Sequence, residues 1–273
     1  MTYPELWRPL TAVYDEGEAR AVVRLVLEEH FGLTMADVLA GQMPDETEWA
    51  GILQRLLKGE PVQYVLGWAE FGGRHFMVSP GVLIPRPETY ELCQWICLTR
   101  GQSPCEVLDI GTGSGCIACT LAAELPQATV TGWDVSETAL SVARENAKRT
   151  GVNVSFEHVD MLETTTLPTV RWDVIVSNPP YVCEREKAMM ERNVLDYEPH
   201  LALFVPDDTP LLFYRAIAQY AAKALRHGGE LYFEINPLYA REMEQMLCVM
   251  GFIQTETRLD QFGKERFVKS VRQ

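Results

Sequence analysis

The stretch Cys105-Glu106-Val107-Leu108-Asp109-Ile110-Gly111-Thr112-Gly113-Ser114-Gly115 runs an apolar segment straight into a loop of three glycines. The first six residues have the length and apolar content of a strand buried on both faces. Ile117 to Leu125 then reads as a helix. The same alternation continues outward. Ala128 to Trp133 reads as a strand, and Ser136 to Thr150 as a helix capped by Ser136 and closed by Gly151. Val154 to Val159 and Trp172 to Ser177 are strands, and Leu211 to Leu225 is a helix ending at His227-Gly228-Gly229. Leu231 to Ile235 is a strand and Ala240 to Met250 a helix. Strands alternating with helices predict an α/β doubly wound sheet. Phe252 to Arg258 and Arg266 to Val271 are two last strands with only a turn between them, so they must pair antiparallel.

The segments before this core read differently. Ala21 to Leu27 carries apolar residues at helical spacing and closes at Gly32. A second helix starts with Asp45 as cap and Glu48 three residues on, and continues through Trp49, Ile52, Leu53 and Leu56. Gly67, Gly72, Gly73, Pro80, Gly81, Pro85 and Pro87 punctuate the next runs, as in a hairpin or extended linker. A further helix is expected from Pro87 through Ile96. The predicted division is a helical bundle over residues 1–70, a hairpin and linker over 71–98, and the α/β unit over 99–273. The bundle carries no chemical motif. It reads equally as a packing appendage and as a substrate-docking domain.

At 273 residues, 47% hydrophobic and 23% charged, the chain is long enough to bury a sizeable core. No apolar run approaches a membrane span, and the N-terminus has no basic-then-apolar signal, so a cytoplasmic protein without membrane contact is expected. The net charge of −14 disfavours direct binding to nucleic acid, whose affinity comes largely from Lys and Arg on phosphates, and suits a basic protein partner. The seven cysteines form no disulfide pattern. Cys116-Ile-Ala-Cys119 has redox spacing, but the glycine loop before it favours helix packing. The five histidines show no ligand spacing, and no metal site is expected.

Four signals sit at carboxyl ends of strands, where ligands bind in such sheets. The first is the loop Gly111, Thr112, Gly113, Ser114, Gly115, spaced G-x-G-x-G. A dinucleotide fingerprint would need glycine where Cys116 stands, so the loop resembles that of S-adenosylmethionine methyltransferases more. The second is Asp134, whose carboxylate can accept both ribose hydroxyls. The third is Asp160-Met161, beside which an adenine would lie. The fourth is Asn178-Pro179-Pro180-Tyr181. The prolines make a rigid elbow. The Asn178 oxygen and the Pro179 carbonyl can accept both hydrogens of an NH₂ group, and Tyr181 offers a face for stacking on a planar amide, or on a sulfonium charge. Such acceptors favour a pyramidalising nitrogen over a planar one.

The chain resembles the HemK-type protein-(glutamine-N5) methyltransferases that modify peptide chain release factors. The resemblance covers nearly the whole sequence. It is carried by Glu60-Pro61-Val62-Gln63-Tyr64-Val65-Leu66-Gly67, Val82-Leu83-Ile84-Pro85-Arg86-Pro87-Glu88-Thr89, Leu108 to Gly115, Ser177 to Val182, and Glu198-Pro199. The 82–89 segment with the preceding Pro-Val-Gln-Tyr is the most specific part. The resemblance implies a seven-stranded Rossmann-like sheet, a small N-terminal helical domain that helps hold the release factor, and S-adenosylmethionine as donor. The acceptor would be the glutamine of a Gly-Gly-Gln tripeptide. It implies cofactor contacts from Gly111 to Gly115, Asp134, the 160–161 turn and Asn178. Asn178, Pro179, Pro180 and Tyr181 would hold the glutamine, with Asn178, Pro179 and Tyr181 as catalytic residues and Leu83 as a wall of the acceptor entrance. Tyr90 and Met161 depart from the family pattern, which often has Glu and an aromatic residue there.

Two other readings share these residues. An adenine-N6 nucleic-acid methyltransferase would use the same elbow on an exocyclic amine, but needs a cationic channel for a flipped base, and no Lys/Arg-rich segment supplies one. A non-catalytic nucleotide-binding module would tolerate loss of the elbow, which is intact.

Overall fold

The computed structural model describes residues 1–163 and 172–273. The N-terminal part contains α1 (Tyr3–Trp7), α2 (Glu16–Glu29), α3 (Met35–Leu39), α4 (Glu46–Leu57) and α5 (Val62–Leu66). Asp15 caps α2 through the Glu18 amide at 2.9 Å, and Asp45 caps α4 through the amides of Thr47 and Glu48. Glu48 does not fold back on the cap. Its carboxylate reaches His30 Nε2 at 2.8 Å and ties α4 to the end of α2. Leu6, Leu10, Val23, Val26, Leu27, Trp49 and Leu56 pack the bundle's own core.

A short antiparallel hairpin follows, β1 (Trp68–Phe71) with β2 (Arg74–Met77), and then α6 (Pro87–Arg100). Tyr90 on α6 is a packing residue. Its ring meets Phe71 edge-on at 5.6 Å and covers Gly72, where an added Cβ would lie only 2.3 Å from it.

The α/β part runs β3 (Cys105–Ile110), α7 (Cys116–Glu124), β4 (Ala128–Asp134), α8 (Glu137–Thr150), β5 (Val154–His158) and β6 (Trp172–Ser177). Next come the short pair β7 (Val182–Cys183) and β8 (Phe204–Val205), with α9 (Arg192–Tyr197) between them. The chain closes with α10 (Leu212–Ala224), β9 (Leu225–Glu234), α11 (Ala240–Val249), β10 (Phe252–Leu259) and β11 (Glu265–Arg272). Seven of these strands form one sheet in the order β10-β11-β9-β6-β3-β4-β5. The last hairpin is antiparallel as expected, with β11 inserted between β9 and β10. Alternate residues face two apolar layers. Leu108, Ile175, Leu231 and Phe233 pack with α10 and α11, whereas Val107, Val174, Val176 and Tyr232 pack with α6 and α7.

One boundary differs from the sequence reading. The helix read as Leu211 to Leu225 spans Leu212–Ala224, but the strand read as starting at Leu231 already begins at Leu225. Between the pairs Trp172–Leu225 and Val174–Glu230 one residue of β6 faces four of β9. Gly228, at φ 76°, lets this excursion turn, and Arg226 within it pairs with Asp173. Among the described residues no helix is long and apolar enough to cross a membrane.

The topology determines where a ligand can sit. From β3 the chain goes to β4 and β5 on one side, while β6 lies on the other side. The crevice at this switch point is flanked by the loop after β3 and the elbow after β6.

Candidate active site

The glycine loop is held by the end of the neighbouring strand β4. Gly111 and Thr112 donate their amides to the Trp133 carbonyl at 2.8 and 2.9 Å. Gly111 and Gly113 have φ of 73° and 56°, and an added Cβ at Gly111 would meet nothing within 4 Å. The backbone here therefore needs glycine for handedness and leaves open space above it. Gly115 differs. An added Cβ there would meet Ala143 Cβ at 3.0 Å, so this glycine serves the approach of α7 to α8 and lies outside the cleft lining.

Two carboxylates brace the loop. Asp109 is fully buried beneath it and accepts the Thr112 hydroxyl at 2.6 Å and the Ala118 amide at 3.2 Å. Burial pushes its acid up to about 7, against the pull of those two bonds. Asp134 ends β4 and accepts the amides of Gly113 (2.8 Å, Oδ2) and Ser136 (2.9 Å, Oδ1). Burial raises it as well, and its remaining lone pairs are available to a ligand's hydroxyls. Ser136 caps α8 as predicted, through the Ala139 amide. Asp160 and Met161 line the same cleft. Asp160 accepts the Leu162 amide, and Met161 is buried in the apolar layer with Trp133 and Trp172.

The elbow stands opposite. Ser177, the last residue of β6, donates its hydroxyl to the Ile110 carbonyl at 2.6 Å and so locks the two strand ends together. Asn178, Pro179 and Pro180 line the main cleft, which has about 1110 Å³ of empty space. A second, smaller cavity of about 320 Å³ lies behind and is lined by Leu83, Arg86, Asn178, Pro179, Tyr181 and Glu234, among others. Leu83, Arg86, Asn178, Pro179 and Ala202 line both, so the elbow is part of the partition between two compartments. Tyr181 is found on the smaller cavity and not among the residues of the main cleft. Its hydroxyl donates to Glu234 Oε1 at 3.0 Å, so the ring is pinned from behind.

Residues 82–86, between the hairpin and α6, line the main cleft and are tied on two sides. Tyr64 donates its hydroxyl to the Val82 carbonyl at 2.6 Å. Glu198, buried after α9, accepts the Ile84 amide at 3.1 Å and pairs with Arg86 at 2.5 Å. The wall holding Leu83 is thus fixed to the helical bundle and to the segment that follows the elbow.

Thr89 and Glu234 were not singled out from the sequence. Glu234 is 2% exposed, and its Oε2 accepts the Thr89 hydroxyl at 2.6 Å. Thr89 in turn accepts the Asn178 amide nitrogen at 3.3 Å. The one visible signal was an acid at the end of an apolar strand, Leu231-Tyr232-Phe233-Glu234-Ile235. Cys116 and Cys119 are buried in the helix–sheet core, and burial pushes both thiols up to about 12.

Two family models match the chain. A PrmC N-terminal domain covers residues 10–67, and a methyltransferase small domain covers residues 97–200. A release factor glutamine methyltransferase of Bacteroides thetaiotaomicron is 44% identical over 268 residues, covering 96% of this chain and 96% of that protein. Its counterpart in Flavobacterium psychrophilum is 41% identical, over 95% of this chain and 94% of the other. The chain belongs to the release factor glutamine methyltransferase family. Solved structures agree on the methyltransferase fold. A T. thermophilus 16S rRNA methyltransferase, solved with AdoMet and guanosine, superposes with a TM-score of 0.55 at 21% identity, over 76% of this chain and 50% of that one. A Pyrococcus furiosus methyltransferase gives 0.52 at 18% identity, over 81% and 98%. Membership in this family makes the protein an S-adenosylmethionine-dependent methyltransferase, and the open backbone at Gly111 and the spare acceptors of Asp134 suit such a nucleoside cofactor.

Proposed function

We propose that the protein methylates the side-chain amide nitrogen (N5) of the Gly-Gly-Gln glutamine of peptide chain release factors, using S-adenosylmethionine. One observation carries the reading at the atomic level: Asn178 and Pro179 line both compartments, at the partition between them. The larger compartment, with the glycine loop, Asp134, Asp160 and Met161, is suited to the cofactor. The smaller, with Leu83, Arg86 and Tyr181, is suited to the acceptor carboxamide.

The bound cofactor supplies an electrophilic methyl group on a positively charged sulfur. The protein's task is to make a poor nucleophile attack it. An amide nitrogen is planar because its lone pair is delocalised. The Asn178 carbonyl oxygen and the Pro179 carbonyl would accept its two hydrogens and fix the orientation of its lone pair. These bonds strengthen as the nitrogen pyramidalises and gains positive charge, so they stabilise the transition state more than the ground state. The nitrogen loses a proton after attack, and no side-chain base is needed beforehand. The prolines keep both acceptors in place. We further assign residues 1–70 to release-factor docking, 71–98 to the hairpin and linker, and 99–273 to the methyltransferase domain, in a cytoplasmic enzyme acting alongside the translation machinery. The acidic balance of −14 suits a partner that handles RNA and so carries basic surface.

The test is incubation with labelled methyl donor, a purified release factor, its Gln→Ala variant in the Gly-Gly-Gln tripeptide, and DNA. Label is expected in the release factor alone. Label in the Gln→Ala variant, or in DNA instead, would overturn the assignment.

A further inference from the structure

Behind the elbow, four polar side chains from separate parts of the chain meet with a determined hydrogen-bond polarity. Glu234 at the end of β9 accepts from Thr89 on Oε2 (2.6 Å) and from Tyr181 on Oε1 (3.0 Å). A carboxylate only accepts, and a hydroxyl has one hydrogen to give. Thr89 has given its hydrogen to Glu234, so it can only accept from Asn178, whose nitrogen lies 3.3 Å away. The Asn178 NH₂ must then face Thr89, which leaves its carbonyl oxygen for the cleft. A donor at position 234 facing Tyr181 would not reverse the chain, since the Tyr181 hydroxyl can accept, whereas one facing Thr89 would. Thr89 could then donate toward Asn178, and the carboxamide would be free to turn half over. Its NH₂ would confront the NH₂ of the acceptor, and one of the two acceptors would be gone.

We infer that Glu234, acting through Thr89, is the positioning residue that keeps the Asn178 carboxamide turned with its oxygen toward the acceptor amide. The inference rests on the reaction proposed above and adds to it the device that makes Asn178 an acceptor and not a donor. The surroundings bear on when Glu234 is ionised. Burial raises its pKa, opposed by the bonds from Thr89 and Tyr181 and by the positive charge of Arg266 on β11, while Glu88 at the start of α6 pushes it further up. Arg86 lies close enough to Tyr181 to act on the same cluster, and Tyr214 on α10 donates to the Glu234 backbone carbonyl at 3.0 Å. The folded acid therefore takes up its proton at a higher pH than an ordinary carboxylate. Turnover is expected to fall as pH drops through that value, because protonation supplies the misplaced donor.

The experiment uses the full-length enzyme and a purified release factor, with Glu234→Gln, Thr89→Val, Thr89→Ser and Asn178→Ala variants. Melting temperature and cofactor affinity by calorimetry report on the fold and the larger compartment. Glu234→Gln is expected to lower kcat by about 10²-fold, the scale of one misdirected transition-state hydrogen bond, with cofactor affinity unchanged and the acid limb of the kcat profile lost. Thr89→Val should do the same and Thr89→Ser should restore turnover. In the Asn178→Ala background Glu234→Gln should add no further loss, since both act through one carboxamide. A folded Glu234→Gln enzyme with wild-type kcat and pH profile would overturn the inference, as would losses that multiply in the double variant or a matching loss of cofactor affinity. If Glu234→Gln does not fold, the Thr89 pair decides: wild-type turnover in Thr89→Val refutes, and loss in Val with rescue in Ser supports. Failure of the wild-type enzyme to label the release factor would instead remove the proposed reaction itself.

Discussion

Replacing Asp109 with Asn tests the electrostatics beneath the glycine loop. Asp109 is fully buried, and only its Oδ2 has partners, the Thr112 hydroxyl and the Ala118 amide; Oδ1 has none among the described residues. Burial lifts the folded acid from 3.8 to about 7. In the unfolded chain the same group ionises near its ordinary value, about 3.9. Below about pH 4 both states hold the proton and the carboxyl adds no pH-dependent cost. Between about 4 and 7 the folded protein keeps a proton that the unfolded chain releases, so stability falls as pH rises. Above about pH 7 both are ionised and the whole penalty stands, about 3 pKa units or about 4 kcal/mol. About 3 kcal/mol of it develops between pH 5 and pH 8. Asn cannot ionise, yet its carbonyl can keep the bonds to Thr112 and Ala118. Denaturant unfolding without cofactor, at intervals from pH 5 to pH 8, should show wild type losing stability relative to Asp109→Asn by about that amount. The difference between the two proteins cancels the titrating groups that are not coupled to Asp109, and Asp134 is the coupled carboxylate that remains. A difference constant across this range would refute the account of Asp109 as a carboxylate held against its ionisation.

Three further substitutions probe the cleft and its wall. Asn178→Ala removes one of two positioning acceptors and should lower kcat about 10²–10³-fold while cofactor affinity by calorimetry stays within a few-fold; wild-type turnover would disprove the role. Asp134→Ala removes the acceptor of the Gly113 and Ser136 amides together with the proposed ribose contact. At about 1.5–3 kcal/mol per charged hydrogen bond, the cofactor Kd should rise about 10²-fold or more, and an unchanged calorimetric Kd would exclude ribose binding. Arg86→Met strips the partner from buried Glu198, while the Ile84 amide still donates to it. Arg86 is itself about a third exposed, so the loss should be about 1–3 kcal/mol, below that for a fully buried pair. A melting temperature equal to wild type would show that the pair does not hold the wall.

The fold was legible because its central strands β3, β6 and β9 are largely buried and several of its helices are bounded by capping residues and glycines. Cys105–Ile110 and Trp172–Ser177 are found as predicted, to the residue. The helix α10 is found within one residue of its expected end, whereas the first half of β9 is hidden in the sequence because Gly228-Gly229 looks like a loop between helix and strand. Tertiary pairing with Trp172 instead draws Leu225 into the strand, and the glycines serve an irregularity within it. The 182–205 segment shows no elements in its sequence, since its two-residue strands and short helical turns carry no periodicity long enough to detect.

The site was legible where chemistry depends on backbone shape, and hidden where it depends on which partner donates. Gly111, Gly113 and the two prolines advertise their geometry by residue type alone. Asn178 does not, because a carboxamide presents either end with equal ease. Thr89 and Glu234 decide which end, yet they lie 89 and 56 positions from Asn178 in the sequence, and each alone reads as an ordinary helix-start threonine or strand-end acid. Only the folded order, with β9 beside β6 and α6 packed against β9, turns them into a chain of donors with one direction. Tyr181 shows the same lesson from the other side. Sequence reading gave it an open aromatic face, whereas its hydroxyl is committed to Glu234 and its ring lines the smaller cavity. A residue next to a rigid elbow can serve by holding the carboxylate that orients the elbow, and Tyr181→Phe would separate that service from stacking: it keeps the ring and removes the donor.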